Sequence, residues 1–318
     1  MSSLVSNLIT NNNWLNTNYW LNINNGLLCK MYAEFMGCMM FHFIGSVSPT
    51  PWANGISLMI LVYFVAKISN GHLNPAVSTV FMLLGYINPI ELVAYWVAQS
   101  LGCICGALWV WALIPGLYLW TPIESSLALA YSGCFIPKNG INDRQIYGWE
   151  GVCTMCFILP IFSVVWYTDH KPGYGLLGPI MIGFSLLANA FAAGQFTGAA
   201  LNPARAMASP VVFNCPDENK LYLYVLGEMT AALLAPIILV PWYGLAPRPW
   251  YYSYVPSYYI DLFNLNRPVP TRNSNSLSTN NSLVRPVRQR SFVQLPLPQP
   301  QTQTRESESS VTVNLNLN

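Results

Sequence analysis

Six long apolar segments, each of the length that crosses a lipid bilayer as a helix, constrain this chain more than any other feature. Such a helix needs about 20 predominantly apolar residues. Charged residues make up only 8% of the 318 residues, against about 25% in soluble proteins. The sequence therefore predicts a multi-pass, all-α membrane protein, and a net charge of +2 gives no reason to expect a nucleic-acid partner. The predicted spans are 27–47, 53–69, 91–113, 150–168, 176–194 and 221–243.

Two shorter apolar segments, 75–85 and 203–213, follow the second and the fifth span. At a helical rise of about 1.5 Å per residue, each covers roughly half of a bilayer. A segment of that length cannot cross the membrane alone. It must either lie on the membrane surface or enter the membrane and return.

The two ends differ in composition from the membrane domain, which we place at residues 27–245. Residues 1–26 are rich in Asn and contain no Lys or Arg, so no cleaved signal peptide is expected. Residues 246–318 are rich in Ser, Asn and Pro. The composition of residues 1–26 and of residues 260–318 cannot bury a core, and it predicts disorder.

The distribution of basic residues predicts the orientation in the membrane. Half of the 14 Lys and Arg residues lie from Arg248 onward. Basic residues accumulate on the cytoplasmic side, so the C-terminus is predicted to be cytoplasmic, and six spans return the N-terminus to that side. The stretch 114–148 then forms a large extracellular loop.

The membrane domain consists of two similar halves, residues 27–113 and 150–243. The same series of polar features occurs in each half: a glutamate in the first span, an Asn-Pro-Ala motif, and a glutamine or glutamate in the third span. Three spans per half mean that the second copy is inserted upside down. Inverted repeats place a shared site near the middle of the bilayer, built from broken helices. The corresponding residues are Glu34 and Glu150, Asn74-Pro75-Ala76 and Asn202-Pro203-Ala204, and Gln99 and Glu228.

Each residue of the Asn-Pro-Ala motif has a physical reason at the start of a half-helix. Asn is a strong N-cap, and Pro at the first helical position gives up no hydrogen bond. Ala is small enough for two helix ends to approach closely. Two facing helix ends would also direct two positive dipole ends, of about half a charge each, at one point. Asn-Pro-Ala is otherwise a common helix start, but two copies at equivalent places are not expected by chance.

The segments ISNGHLNPAVS (68–78) and TGAALNPARA (197–206) resemble the two signature loops of the aquaporin, or major intrinsic protein, family. The resemblance covers residues 28–245. It implies the hourglass fold, with six transmembrane helices and two re-entrant half-helices in inverted repeats. It also implies a homotetramer with one passive pore per subunit for water and small uncharged solutes, excluding protons and ions. No enzyme activity, catalytic residue, metal or cofactor is expected.

The resemblance implies roles for the buried polar residues. Glu34 and Glu150 would brace the backbones of the two loops, Gln99 matches another intramembrane polar position of the family, and Glu228 would act by pseudo-symmetry with Gln99. The alternative role for the carboxyl groups of Glu34 and Glu150 is to relay protons. Arg205, directly after the second motif, would face the pore and repel cations.

The family's narrow filter corresponds by spacing to Asn54, Ala190, Ala199 and Arg205. This set lacks the aromatic and histidine residues of strict water channels and the aromatic pair of glycerol facilitators, so we expect a wider, moderately polar constriction. Ala206 stands where glycerol-conducting members carry Asp, which favours water. Glycerol, urea, ammonia and peroxide remain open as permeants.

Further expectations concern histidine, lysine and cysteine residues. His72 and Lys67 would face the cytoplasmic vestibule, and His42 would be a packing residue. The eight cysteines show no obvious disulfide framework. Cys153 and Cys156 lack a second ligand pair for zinc.

Two other classes of protein use similar scaffolds. A junction protein would adhere rather than conduct. A secondary transporter also has inverted repeats but needs an ion-coupling site.

Overall fold

The computed structural model describes residues 26–48, 50–170 and 174–243. The predicted tails, 1–26 and 246–318, lie outside this part apart from Gly26. The secondary structure is helical, and six helices are long and apolar enough to cross a membrane. The helices are α1 Leu27–Val47, α2 Pro51–Ser69, α3 Pro75–Leu83, α4 Pro89–Leu113, α5 Ser126–Ala130, α6 Asp143–His170, α7 Tyr174–Thr197, α8 Pro203–Val212, a 3₁₀ turn Glu218–Lys220, and α9 Leu221–Tyr243. The predicted fold class is confirmed.

Polar caps fix where the helices begin. Proline occupies the first helical position of α2, α3, α4 and α8, where its missing N–H costs nothing. Asn88 and Glu91 form a capping box at the start of α4. Asn142 and Gln145 form the same pair of capping hydrogen bonds at the start of α6, at 3.0 and 2.9 Å. For this reason α6 begins at Asp143 rather than at 150. The helix starts with three polar residues, Asp143 to Gln145, and hydropathy does not detect this start.

Glycines let the long helices pack in close pairs. A side chain at Gly102 would collide with the backbone carbonyl of Phe35, which brings α4 against α1. Gly227 lies against the carbonyl of Tyr147 in the equivalent pair, α9 and α6. Close backbone approach through small residues is typical of membrane helices.

The two half-helices α3 and α8 lie in the centre of the bundle, and most of their residues are buried. Each contacts the third span of the opposite repeat: α3 packs against α9, and α8 packs against α4. The two repeats are therefore interlocked at the centre.

The loop between α4 and α6 is fastened to the segment that follows α8. Cys134 and Cys215 form a disulfide between these two regions, and the backbone N–H of Trp120 donates to the carbonyl of Val212 at 3.0 Å. The sequence shows no obvious disulfide framework, and this pair could not be identified from it. Cys134 lies in the loop between the two halves and Cys215 lies in the second half, and only the fold brings them together.

Loss of this disulfide should lower the thermal stability. A cross-link across 81 residues removes chain entropy from the unfolded state, and its loss should cost about 2–4 kcal/mol. Cys134→Ser, Cys215→Ser and the double variant should shift the unfolding midpoint in detergent downward by the same amount, because each change removes the same bond. Cys29→Ser, which removes a free cysteine, is the control. Equal midpoints for all variants would contradict the assignment.

Candidate pore between the two half-helices

Each half-helix begins at an asparagine whose side chain caps it. Asn74 Oδ1 accepts a hydrogen bond from the backbone N–H of Ala76 at 2.8 Å, and Asn202 Oδ1 accepts one from Ala204 at 3.1 Å. Both asparagines are almost fully buried. Because the oxygen of each side chain serves the cap, its amide group is left to face the opposite half-helix.

The two amide groups tie the re-entrant loops together. Asn74 Nδ2 donates to the carbonyl of Leu201, and Asn202 Nδ2 donates to that of Leu73, each at 2.8 Å. Leu73 and Leu201 have φ angles of 49° and 50°, a left-handed conformation that costs a non-glycine residue about 1–2 kcal/mol. The strained backbone lets each carbonyl accept from the opposite asparagine. One hydrogen of each amide stays outside this exchange.

Glu34 supports the backbone of the first loop. Its carboxylate accepts from the backbone N–H groups of His72 and Leu73 at 3.0 and 2.7 Å. It also accepts from the Ser69 hydroxyl at 2.6 Å and the Gln99 amide at 2.8 Å. Glu34 has no exposed surface. Four donors on one carboxylate offset the cost of burying its charge.

Glu150 supports the second loop in the same manner. It accepts from the N–H groups of Ala200 and Leu201 at 3.3 and 3.0 Å and from the hydroxyl of Thr197. Glu228 adds an acceptor for the backbone N–H of Asn202 at 2.7 Å. The structure therefore places all four predicted bracing residues on or next to the two loops.

Two tyrosines that the sequence analysis did not single out complete the supports. Tyr95 donates its hydroxyl hydrogen to the carbonyl of Ser69 at 2.9 Å, and Tyr224 donates to that of Thr197 at 2.8 Å. One tyrosine comes four residues before Gln99 and the other four before Glu228. That repeated spacing is a signal from which they could have been found.

Arg205 is buried on the first turn of α8. Its Nη2 donates to Asn54 Oδ1 at 2.7 Å. Two aromatic rings flank the guanidinium: Phe41 of α1, with its centre 4.4 Å from Cζ, and Phe135 of the α4–α6 loop, at 5.4 Å. No sequence motif marks either phenylalanine, because their positions depend on helix rotation and on the path of a loop.

A cavity lies where the half-helices meet. Within the described part of the chain, its lining contains Arg205 but not Asn54, Ala190 or Ala199. Ala190 and Ala199 are buried on α7 and in the loop before α8. The polar side chains come from both loops and α8, and the apolar side chains come from the same loops and from α1, α2, α6 and α7. The lining residues are Phe41, Leu58, His72, Leu73, Asn74, Phe157, Leu186, Ala200, Leu201, Asn202 and Arg205.

Of the two residues predicted for the cytoplasmic vestibule, His72 lines the cavity and Lys67 does not. His72 lies in the cavity lining, with Nδ1 at 3.1 Å from the Ser78 hydroxyl and its ring against Phe81. Lys67 is exposed on the last turn of α2. His42 is buried, with Nε2 at 3.1 Å from the hydroxyl of Ser209. Among the described residues, no group of three or more His, Cys, Asp or Glu side chains is placed to hold a metal ion.

The half-helices, capped asparagines and buried carboxylates agree with a known family. The model of the family described as major intrinsic protein matches residues 46–239, more than half of the chain. The chain belongs to the major intrinsic protein family. The family predicted from the two Asn-Pro-Ala segments is therefore confirmed.

Relatives within the major intrinsic protein family include animal and plant proteins. The chain is 29% identical over 217 residues to "Aquaporin-8" of Rattus norvegicus, covering 65% of this chain and 78% of the relative. It is 32% identical over 213 residues to "Probable aquaporin TIP2-2" of Arabidopsis thaliana, covering 64% and 75%.

A solved structure shares the fold. The X-ray structure of the aquaglyceroporin from Plasmodium falciparum matches with a TM-score of 0.59 and 20% identity, covering 69% of this chain and all of the neighbour. At this identity the likeness concerns the fold alone.

Removing the support of the first loop should destabilise the protein. Glu34→Ala leaves four buried donors without an acceptor, and each costs about 1–3 kcal/mol. We expect a large fall in the unfolding midpoint in detergent or a loss of folded protein. Glu124→Ala, in an exposed part of the α4–α6 loop, is the control. A midpoint for Glu34→Ala within error of this control would show that the carboxylate does not support the loop.

Proposed function

We propose that this protein is a passive channel for water, with small uncharged solutes as secondary permeants. The observation that carries the proposal is the pair of capped asparagines that line one cavity, each with an amide hydrogen outside the exchange between the loops. A water molecule passing this point would accept from Asn74 and Asn202 in turn. The aquaporin names of the relatives support the same function.

Ion exclusion would rest on the electrostatics of the same region. Two helix N-termini face the cavity, each with a partial positive charge of about half a unit. Arg205 adds a full positive charge in a buried position. A proton or cation would meet this field after losing water, whereas a neutral molecule would not.

We propose that Asn54, Ala190, Ala199 and Arg205 form the selectivity filter, extended by two aromatic rings. The alanines leave space, but Phe41 and Phe135 flank the guanidinium. Size exclusion would therefore depend on these rings as well as on Asn54 and Arg205. This arrangement favours water over glycerol and urea.

The proposed function predicts rapid osmotic water flux. Purified protein in liposomes should shrink or swell several-fold faster than empty liposomes, without saturation and without ion current. Glycerol and urea gradients, measured in the same vesicles, rank the secondary permeants. A water rate equal to that of empty liposomes, with folded protein present, would rule out the channel. Saturating flux coupled to an ion would indicate a transporter instead.

The proposed filter predicts that Arg205→Val relaxes selectivity. The change removes both a bulky group and a fixed charge, so glycerol and urea flux should rise several-fold while water flux persists. A partial proton or cation leak should appear, because the helix dipoles at Asn74 and Asn202 remain.

The matched control is Lys220→Val, which removes a positive charge from the 3₁₀ turn before α9. This control should leave selectivity as it is. If Arg205→Val has the same solute selectivity and ion exclusion as the control, then Arg205 does not line the conducting path.

We further propose that both termini are cytoplasmic. The Cys134–Cys215 disulfide joins the α4–α6 loop to the α8–α9 segment. Disulfides persist in oxidising compartments and are rare in the cytosol. The disulfide therefore supports a non-cytoplasmic position for the α4–α6 loop, in agreement with the basic residues from Arg248 onward.

The proposed assembly is a homotetramer with one pore in each subunit. Membership of the major intrinsic protein family supports it. Native mass spectrometry in detergent would measure the number of subunits directly, and a monomer under mild conditions would contradict the proposal.

A further inference from the structure

The two repeats differ at one buried position that supports the re-entrant loops. Gln99 of α4 and Glu228 of α9 occupy equivalent places, each four residues after a tyrosine that binds the loop. Both are fully buried. An amide group in one repeat is thus replaced by a carboxyl group in the other.

In the first repeat the amide acts as a hydrogen-bond donor to the glutamate. Gln99 Nε2 donates to Glu34 Oε2 at 2.8 Å and to the Ser78 hydroxyl at 2.9 Å. Glu34 can accept because it is a carboxylate, already holding two backbone N–H groups and a hydroxyl. The contact needs one donor and one acceptor, and the Gln–Glu pair provides both.

In the second repeat the equivalent contact joins two carboxyl groups. Glu150 accepts from the second loop as Glu34 does from the first. Gly227, next to Glu228, brings α9 so close that a Cβ there would lie 3.3 Å from that of Glu150. This approach leaves the two carboxyl groups close enough to interact, and they could share a hydrogen bond if one of them were protonated. Two ionised carboxylates have no hydrogen for such a bond, and Glu228 Oε2 then has no partner.

The charges around the pair do not compensate for two negative groups. Arg205 of α8 is a cation that acts on Glu228, but the ion pairs within the described residues do not join it to either carboxyl group. Glu150 of α6 is the facing anion, and the Tyr224 hydroxyl on α9 is engaged with the carbonyl of Thr197. Two carboxylates sharing one buried site cannot both stay ionised near neutral pH without a large energetic cost.

We propose that Glu228 is a neutral carboxylic acid at neutral pH, whose proton bonds to Glu150 in place of the amide hydrogen that Gln99 supplies to Glu34. Its other oxygen, Oε1, accepts the backbone N–H of Asn202. Glu228 is then a positioning residue for the second pore asparagine. Loss of the shared proton at alkaline pH places two negative charges behind Asn202 and disturbs the loop.

Infrared spectroscopy tests the proton directly and does not depend on whether the protein conducts. Reconstituted wild-type protein at neutral pH should show the carbonyl-stretching band of a protonated carboxylic acid, and Glu228→Gln should lose it. Gln99→Glu, which builds the same carboxyl pair in the first repeat, should add a second band. A wild-type spectrum without the band, or a band that persists in Glu228→Gln, would overturn the proposal.

Permeability measurements, which rest on the proposed water-channel function, test the positioning role. Glu228→Gln keeps one acceptor and one donor, so its water flux per folded channel should stay close to wild type and lose any decline at alkaline pH. Glu228→Ala should conduct less at every pH. If Glu228→Gln is impaired as much as Glu228→Ala, the group acts as a carboxylate and the proposal fails. Absence of flux in wild type would count against the channel, and the infrared result would still decide the protonation.

Discussion

The structure depends on satisfying backbone N–H groups inside a bilayer. A chain that enters the membrane and turns back leaves donors that lipid cannot accept, each at a cost of several kcal/mol. Glu34 and Glu150 accept these donors, two backbone groups each. The buried carboxylates are costly by themselves, but without them neither loop could hold its path. The half-helices, and hence the pore asparagines, are placed by these two side chains.

The same supports explain how the loops hold a strained conformation. Leu73 and Leu201 adopt left-handed backbone angles that a free loop would avoid. The N–H of each leucine is fixed by a glutamate of its own repeat, while its carbonyl receives an asparagine of the other repeat. Contacts with both repeats therefore stabilise the strained backbone of each leucine. The strained conformation in turn lets the two repeats bind each other at the pore. Neither loop is complete without its partner.

Much of this arrangement could be predicted from the sequence because its determinants are local. Span length, the caps and the repeated order of polar residues all appear in the chain. What could not be predicted depends on distant contacts: the Cys134–Cys215 pair joins two loops, and the rings of Phe41 and Phe135 meet Arg205 only in the fold. The early start of α6 was missed because a polar helix end has no apolar signal.

The proposed filter depends on an absent side chain as much as on those present. Any Cβ at Gly45 of α1 would collide with both Asn54 Oδ1 and Arg205 Nη2. Only glycine lets α1 pass close enough for the bond between Asn54 and Arg205 to form beside the ring of Phe41. A bond between a neutral amide and a buried guanidinium fixes the cation's position without cancelling its charge. In the proposed filter, one close helix contact would thus set both the field that repels cations and the width that excludes large solutes, and motif comparison at the four filter positions does not reveal it.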